Sequence, residues 1–396
     1  MSKVSKPKEP QNTEILSYKE SGDNIIRNDD DYDDKEIQVN NSLANIKLKD
    51  NSHSRTLCTV PDDSKNSFFV GVTGINSASE IYIVNYNELD KKLDKMCILD
   101  FNTLDKSTEF INEILGIYPI NINDFFVQVF NFSENCYKLK YIKSGADGIL
   151  QQNLEALKSD CVFDINHFSE GSNKRGLISF ITSKSCSYFD LAKNTEFSKI
   201  NLSSEDTLPL KISSDVSKID QDSLGIGLNS DIFLCDLKSG KVSTKIEKAH
   251  ESSVLSLQFD PTEPFILCTS GTDFALKFWD VRKHDRELNG VYNNSHWIWD
   301  LKFNRNYSNV IVTSSSSSLV RNLIFSKIGD LDESESLGIF KKDLNSMTFV
   351  DYCEFEDAVY CTDWLRNDSW TFASVSFNSI FHVNAIPEEI KYKIML

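Results

Sequence analysis

The C-terminal half of this chain repeats itself, and the repeat constrains the fold more than any other feature. Residues 250–282 read HESSVLSLQFDPTEPFILCTSGTDFALKFWDVR, residues 294–325 read NSHWIWDLKFNRNYSNVIVTSSSSSLVRNLIF, and residues 357–384 read DAVYCTDWLRNDSWTFASVSFNSIFHVN. VLSLQFDP falls on IWDLKFNR and on VYCTDWLR, while FILCTSGTD falls on VIVTSSSSS and on TFASVSFN. A shorter copy, 223–236, ends in Cys235-Asp236 where the first ends in Trp279-Asp280. The copies lie about 44 to 62 residues apart, and a period near 40–45 residues with four strands and a terminal Trp-Asp marks a propeller blade, the longer intervals being loop insertions.

The rest of the chain agrees with an all-β reading. SFFVGV and IYIVNY, FFVQVF and YKLKYI, LISFIT and SYFDL, and SLGIGL and IFLCDL are pairs of short apolar runs split by polar turns. Strand length, β-branched or aromatic content and turn residues at both ends mark each as a strand. Evenly spaced short strands fit a sandwich, a barrel or a propeller, and the repeat selects the propeller. Helical periodicity is scarce; Ser107 to Tyr118 fits either a helical turn or a strand connection. The expected fold is therefore an all-β, seven-bladed WD40 β-propeller over residues 43–396. Its blades are expected at about 43–100, 101–155, 156–194, 195–247, 248–290, 291–344 and 345–396. Residues 43–60 are expected to lend a strand to the last blade, so that the closed ring leaves no sheet edge open. Residues 1–42 are polar, poor in aromatics and carry an acidic run, Asp29 to Glu36. Such a segment buries too little apolar surface to offset chain entropy and reads as a disordered acidic arm.

Within the best-preserved copy, four polar residues have blade spacing. His250 lies in the loop entering the blade, Thr269 on the second strand, Asp273 in the turn before the third strand and Trp279 on that strand. They are expected to form a structural tetrad, a buried hydrogen-bond network that gains strength in a low dielectric. Catalysis by the same His, Thr and Asp is the weaker reading, because blade geometry accounts for every member. The next blade has Ser317 for the Asp and Leu323 for the Trp, and the last has Asn378 and Asn384.

Composition narrows the function classes. Forty-two Lys and Arg against 59 Asp and Glu give a net charge of -17, without the basic field that nucleic-acid binding requires. Adsorption to an anionic membrane is disfavoured for the same reason. No stretch approaches the roughly 18 apolar residues of a membrane span, and the first 20 residues lack the apolar centre of a secretory signal. Nine scattered cysteines without a C-x-x-C pair suggest reduced thiols in the cytosol. There is no Gly-rich phosphate loop, H-E-x-x-H or G-x-S-x-G, and the six histidines lack metal-ligand spacing. LGIGL, at 224–228, is read as a strand whose small residues face the propeller axis. No enzyme, cofactor or metal is expected.

Two surface candidates remain. In a propeller the loop entering a blade and the turn before its third strand share the top face. His296 and Trp297 belong to such a loop and Trp299 begins the inner strand, so the HWIW phrase is either inter-blade packing or an aromatic partner anchor. Arg282, ending a W-D-x-R phrase, is expected on the opposite, bottom face.

These phrases carry a resemblance. The stretch LKFWDVRKHDRELNGVYNNSHWIWDLKFN is similar to the segment of the EARP and GARP complex-interacting protein family in which KFWDxR leads into HWVW. The C-terminal EDAVYCTDWLRNDSWTFASVSFNSIFHVNAIPEEIKYKIML resembles that family's terminal blade, and FFVGVTGINSASEIYIVNY its first. The resemblance is strongest from residue 223 onward and thin between 105 and 220. It implies a seven-bladed propeller that binds multisubunit tethering complexes on endosomes and the trans-Golgi network and supports endosomal recycling and retrograde vesicle transport. The expected partners are tethering-complex subunits, the protein being a cytoplasmic monomer held peripherally on endosomes or trans-Golgi membranes through them. W-D-x-R also resembles a motif in substrate receptors of cullin-RING ubiquitin ligases, which is the alternative.

Overall fold

The structure is a computed structural model and describes residues 25–395 apart from 28–34, 41, 62–65, 76, 102–111, 122, 133–135, 146–147, 153–161, 168–176, 191–194, 203–208, 218, 220–221, 264, 293 and 326–346. Two short strands come first, β1 (Ile25–Arg27) and β2 (Lys35–Val39), then β3 (Ala44–Lys47). Blade one is β4 (Ser52–Thr59), β5 (Ser67–Gly74), β6 (Glu80–Asn87) and β7 (Lys92–Asp100). Blade two is β8 (Asn112–Pro119), β9 (Asp124–Asn131), β10 (Cys136–Gly145) and β11 (Gly148–Gln152). Blade three is β12 (Val162–His167), β13 (Leu177–Thr182), β14 (Ser185–Asp190) and β15 (Thr195–Asn201). Blade four is β16 (Ile212–Val216), β17 (Ser223–Leu228), β18 (Asp231–Asp236) and β19 (Lys241–Ile246). Blade five is β20 (Val254–Phe259), β21 (Ile266–Gly271), β22 (Leu276–Asp280) and β23 (Asn289–Val291). Blade six is β24 (Ile298–Phe303), β25 (Val310–Ser315), β26 (Leu319–Phe325) and β27 (Met347–Tyr352). Blade seven is β28 (Val359–Trp364), β29 (Thr371–Ser376) and β30 (Ile380–Ala385), with β3 as its outermost strand, and a C-terminal helix α1 (Glu388–Met395) follows.

The chain is thus an all-β, seven-bladed propeller. The N-terminal β3 pairs antiparallel with β30, from Ala44 opposite Val383 to Lys47 opposite Ile380, and closes the ring. Only residues 44–47 of the expected 43–60 do this; Ser52–Thr59 is the inner strand of blade one. The disordered arm expected over 1–42 lies mostly outside the described residues. What is described of it is strand: β2 runs parallel to β27, and β1 pairs with β2, extending blade six to six strands. Two blade boundaries also move. Residues 195–201 form the outer strand of blade three, and 347–352 that of blade six. Outer strands are the most polar and least repetitive part of a blade, so sequence spacing locates them worst.

Burial explains the strand sequences. Every residue of β21, β25 and β29 is buried, because a second strand is covered by blades on both faces. The outer β19, KVSTKI, alternates between exposed and half-buried instead. Cores form between blades: Leu276 and Phe278 of blade five pack with Leu301, Phe303 and Ile311 of blade six. Each such side chain contributes about 1.5–3 kcal/mol of burial. Gly225 and Gly227 do not face the axis as expected. A Cβ on Gly227 would lie 2.6 Å from Val254 Cγ1, so these glycines let blade five's inner strand approach.

Inner strands are stitched blade to blade by side chains. Asp164 accepts the Ser214 N–H at 2.6 Å, Asp215 that of Phe259 at 2.9 Å, and Gln258 that of Phe303 at 2.7 Å. Asp300 accepts the Thr362 N–H at 3.2 Å, and Asp363 accepts that of Thr59 at 2.9 Å across the ring closure. In blades one and two, Thr73 accepts the Ile114 N–H and Gln128 donates to the Val162 carbonyl. Inner strands of adjacent blades diverge too far to pair by backbone alone, so these side chains satisfy their otherwise orphaned groups.

Candidate functional site

Strand direction sets two faces. Loops entering the inner strands and the turns between second and third strands lie at one end, here the top; Ser316 N–H donates to the Trp297 carbonyl across that end at 3.0 Å.

In blade five, Trp279 Nε1 donates to Thr269 Oγ1 at 2.9 Å, Thr269 Oγ1 lies 2.8 Å from His250 Nε2, and His250 Nδ1 lies 2.8 Å from Asp273 Oδ1. The neutral tautomer with its proton on Nδ1 satisfies all four groups: the threonine hydroxyl accepts from the indole and donates to Nε2. Burial works against the Asp273 charge, but the His250 hydrogen bond and the Glu251 amide outweigh it and hold the carboxyl below its ordinary value. A Cβ on Gly271 would fall 2.6 Å from His250 Nδ1, so the Ser-Gly-Thr-Asp turn needs its glycine for the imidazole to approach. His250 and Thr269 are fully buried. The Thr269 hydroxyl is closed off from solvent.

The HWIW phrase divides. His296 and Trp297 are exposed, Ile298 is buried and Trp299 is half-buried. Trp297 stands edge-on to Trp299 at 5.6 Å, and Trp299 lies 4.7 Å from the Tyr360 ring of blade seven. Trp299 Nε1 donates to Ser316 Oγ, and its carbonyl accepts from Lys211 Nζ. The aromatic line continues from Tyr360 to Phe377 at 5.6 Å and from Phe377 to the stacked His53 ring at 4.9 Å. The Arg55 guanidinium lies over both Tyr360 and Phe377, 5.1 and 5.5 Å from their centres, with its Nε 3.3 Å from Glu113. Burial disfavours the Glu113 charge, but His53 and Arg55 prevail and lower its pKa.

A recurrent backbone device builds this cluster. Six inner strands carry a register shift near their start, which leaves Arg55, Leu115, Phe163, Leu255, Trp299 and Tyr360 without a partner on the second strand. A bulge re-aims the extra residue. Arg55, Leu115, Trp299 and Tyr360 line an axial cavity of about 640 Å³ that the inner strands of all seven blades surround. Arg55, Glu113, Tyr360 and Phe377 were not legible as site residues. Arg55, Glu113 and Tyr360 lie near the start of inner strands and Phe377 directly follows a second strand, positions that become comparable only once the blades are aligned.

Among the described residues, exposed large apolar side chains occur at both ends: Ile75, Phe132, Leu210, Phe274, Tyr292 and Trp297 on top loops, Leu89, Ile219 and Phe265 on bottom turns, Tyr392 and Met395 on α1, and Met96 on β7. Phe274 is exposed and has φ of 65°, a left-handed conformation costly for a bulky residue. On the bottom, Arg282 is engaged at home: Nε and Nη2 each donate to Asp280 at 2.9 Å, and its guanidinium covers Phe265 at 4.2 Å.

Comparison with known proteins adds relatives. Residues 241–280 match the WD domain, G-beta repeat family. Human EARP and GARP complex-interacting protein 1 is 31% identical over 165 residues, 38% of this chain and 43% of that protein. EARP-interacting protein 1 of Caenorhabditis elegans is 25% identical over 186 residues, 44% of this chain and 51% of that protein. The WD repeat-containing protein DWA2 of Arabidopsis thaliana is 26% identical over 159 residues, 40% of this chain and 45% of that protein. The chain thus spans about half the length of the curated relatives it matches. With the repeat, the seven blades and these relatives together, the chain is a WD40-repeat propeller related to the EARP and GARP complex-interacting protein family.

Proposed function

We propose that this protein is a non-enzymatic adaptor whose top face binds endosomal and trans-Golgi tethering complexes, in support of endosomal recycling and retrograde transport. Trp297, an exposed tryptophan on a top loop with His296 beside it, carries the reading, and Phe274 and Tyr292 are exposed on neighbouring top loops. Tryptophan is enriched where binding energy concentrates, and a rigid scaffold carrying apolar loops is the usual design of a docking face. The names of the relatives supply the partner class. No helix among the described residues is long and apolar enough to cross a membrane, so membrane localisation is assigned to the partner. The ubiquitin-ligase alternative draws no support from Arg282, whose charge and planar face are committed to Asp280 and Phe265.

The test is pulldown of tethering subunits with single variants. Trp297→Ala is expected to weaken the complex by about 2 kcal/mol, near thirtyfold, with unchanged melting temperature. Arg282→Ala, on the other face, is expected to leave it intact. Full binding by Trp297→Ala, together with loss of a ligase adaptor on Arg282→Ala, sinks the reading.

A further inference from the structure

We propose that the axial cavity receives an arginine side chain from a partner protein segment, through the mouth flanked by Trp299 and Tyr360. This deepens the docking reading, since it places the partner on the same face. The order of chemistry along the axis points to a guanidinium. Two bulged residues, Trp299 and Tyr360, set an aromatic pair at the mouth beside the bulged Arg55 and Leu115, and Asp164 and Asp300 each follow a bulge directly, one residue deeper. A guest entering here meets ring faces first and carboxylates next. That sequence suits a planar cation on an apolar stem, and opposes an acidic guest.

The molecule already shows the first half of this recognition, because Arg55 places its own guanidinium over Tyr360 and Phe377 beside Glu113. The walls carry four carboxylates against three cationic side chains; Lys302 lies 3.7 Å from Asp300 and Arg55 3.3 Å from Glu113, and the balance that remains is one negative charge. Burial raises the Asp164 carboxyl to about 6, although its Ser214 and Ile165 hydrogen bonds oppose the shift. Lys211 also opposes the shift, and a further cation would offset more of the burial penalty. The chain's net charge of -17 draws basic segments toward it at long range. Arginine is preferred to lysine because guanidinium is weakly hydrated and stacks on rings.

The test uses the full chain labelled with 5-fluorotryptophan, with the Trp299 resonance assigned by Trp299→Phe. N-acetyl-arginine amide is titrated beside N-acetyl-norleucine amide and N-acetyl-glutamate amide. We expect a saturable shift of the Trp299 resonance with the arginine probe, at about tenfold lower concentration than with norleucine, and none with glutamate. Asp300→Asn should weaken the arginine response severalfold; should that variant fail to fold, the three-probe comparison on the unaltered chain still decides. An equal response to norleucine, a response to glutamate, or no saturable shift with arginine overturns the inference. The docking reading fails separately: arginine binding without Trp297-dependent pulldown leaves the cavity site standing alone, and the converse leaves the docking face without it.

Discussion

Thr269 of blade five and Thr313 of blade six occupy the same place on adjacent second strands, and their hydroxyls do different things. Thr269 joins Trp279, His250 and Asp273 in one network. Thr313 only reaches the Arg321 carbonyl, at 3.3 Å. Leu323 stands where Trp279 does, and Ser317, in place of Asp273, turns to Ser315. A cavity of about 40 Å³ among Asn294, Ser295, Thr313 and Ser315 remains near the place where blade five seats its imidazole. Blade six moves its polar network outward instead. Arg321 and Asp351 face each other across β26 and β27 and form two hydrogen bonds of 2.6 Å, nearly buried. Asn322 donates to the Tyr352 hydroxyl, which donates to the Ala385 carbonyl of blade seven. Blade five is therefore pinned from within, by a top loop reaching its own third strand. Blade six is pinned from its rim and from its neighbours, with β2 added on its outer edge.

The largest expected effect breaks blade five. Trp279→Ala should lower stability by about 3–5 kcal/mol, from a core cavity plus the lost hydrogen bond to Thr269, as measured by equilibrium urea unfolding. A loss under about 1 kcal/mol would mean that the tetrad does not hold this blade.

Blade six should respond to a cycle rather than to a single change. Arg321→Met alone should cost about 3 kcal/mol, because it strands a buried carboxylate. Adding Asp351→Leu should recover most of that loss. If the double variant is as unstable as the single, the pair contributes through something other than its buried charges.

Asp273→Asn should cost about 1–3 kcal/mol at neutral pH. Because the folded carboxyl is held below its ordinary value, its contribution is complete above the unfolded pKa and disappears as pH falls through the folded one. The variant should therefore lose part of the acid-side slope of stability; Ser317, at the same place in blade six, has no carboxyl to titrate. A slope identical to the parent's counts against this assignment.

The smallest effect separates fold from function. Phe274→Asn keeps the left-handed turn with a residue suited to it, and should raise stability by about 1 kcal/mol. It should also weaken partner capture, since an exposed aromatic is lost from the top. Thermal unfolding and pulldown read the two outcomes; a destabilised variant would show that Phe274 is held by packing.

The readable parts of this protein were those encoded locally. Second strands such as FILCTSG and VIVTSS announce themselves because burial on both faces demands unbroken apolar runs. The tetrad spacing was legible for the same reason: all four residues lie within one blade, at positions a strand and a turn fix. The boundaries at 195 and 345 were misplaced because outer strands face solvent on one side and tolerate almost any alternating sequence. Arg321 and Asp351 lie 30 positions apart in the sequence, and nothing in either residue names the other.

By itself the sequence determined the repeating four-stranded unit, since strand length, apolar runs and turn residues act over a few positions. It also determined which of the last three blades carries the full tetrad. Only the tertiary structure decided the top mouth. Ring closure by β3 sets blade one against blade seven, and that brings Arg55 over Tyr360 and Phe377 from opposite ends of the chain. The bulges decide which side chains reach the cavity, because one extra residue shifts every side chain after it to the other face of the strand. Neither a closure nor a register shift has a local signature, so the mouth exists only once the ring is shut.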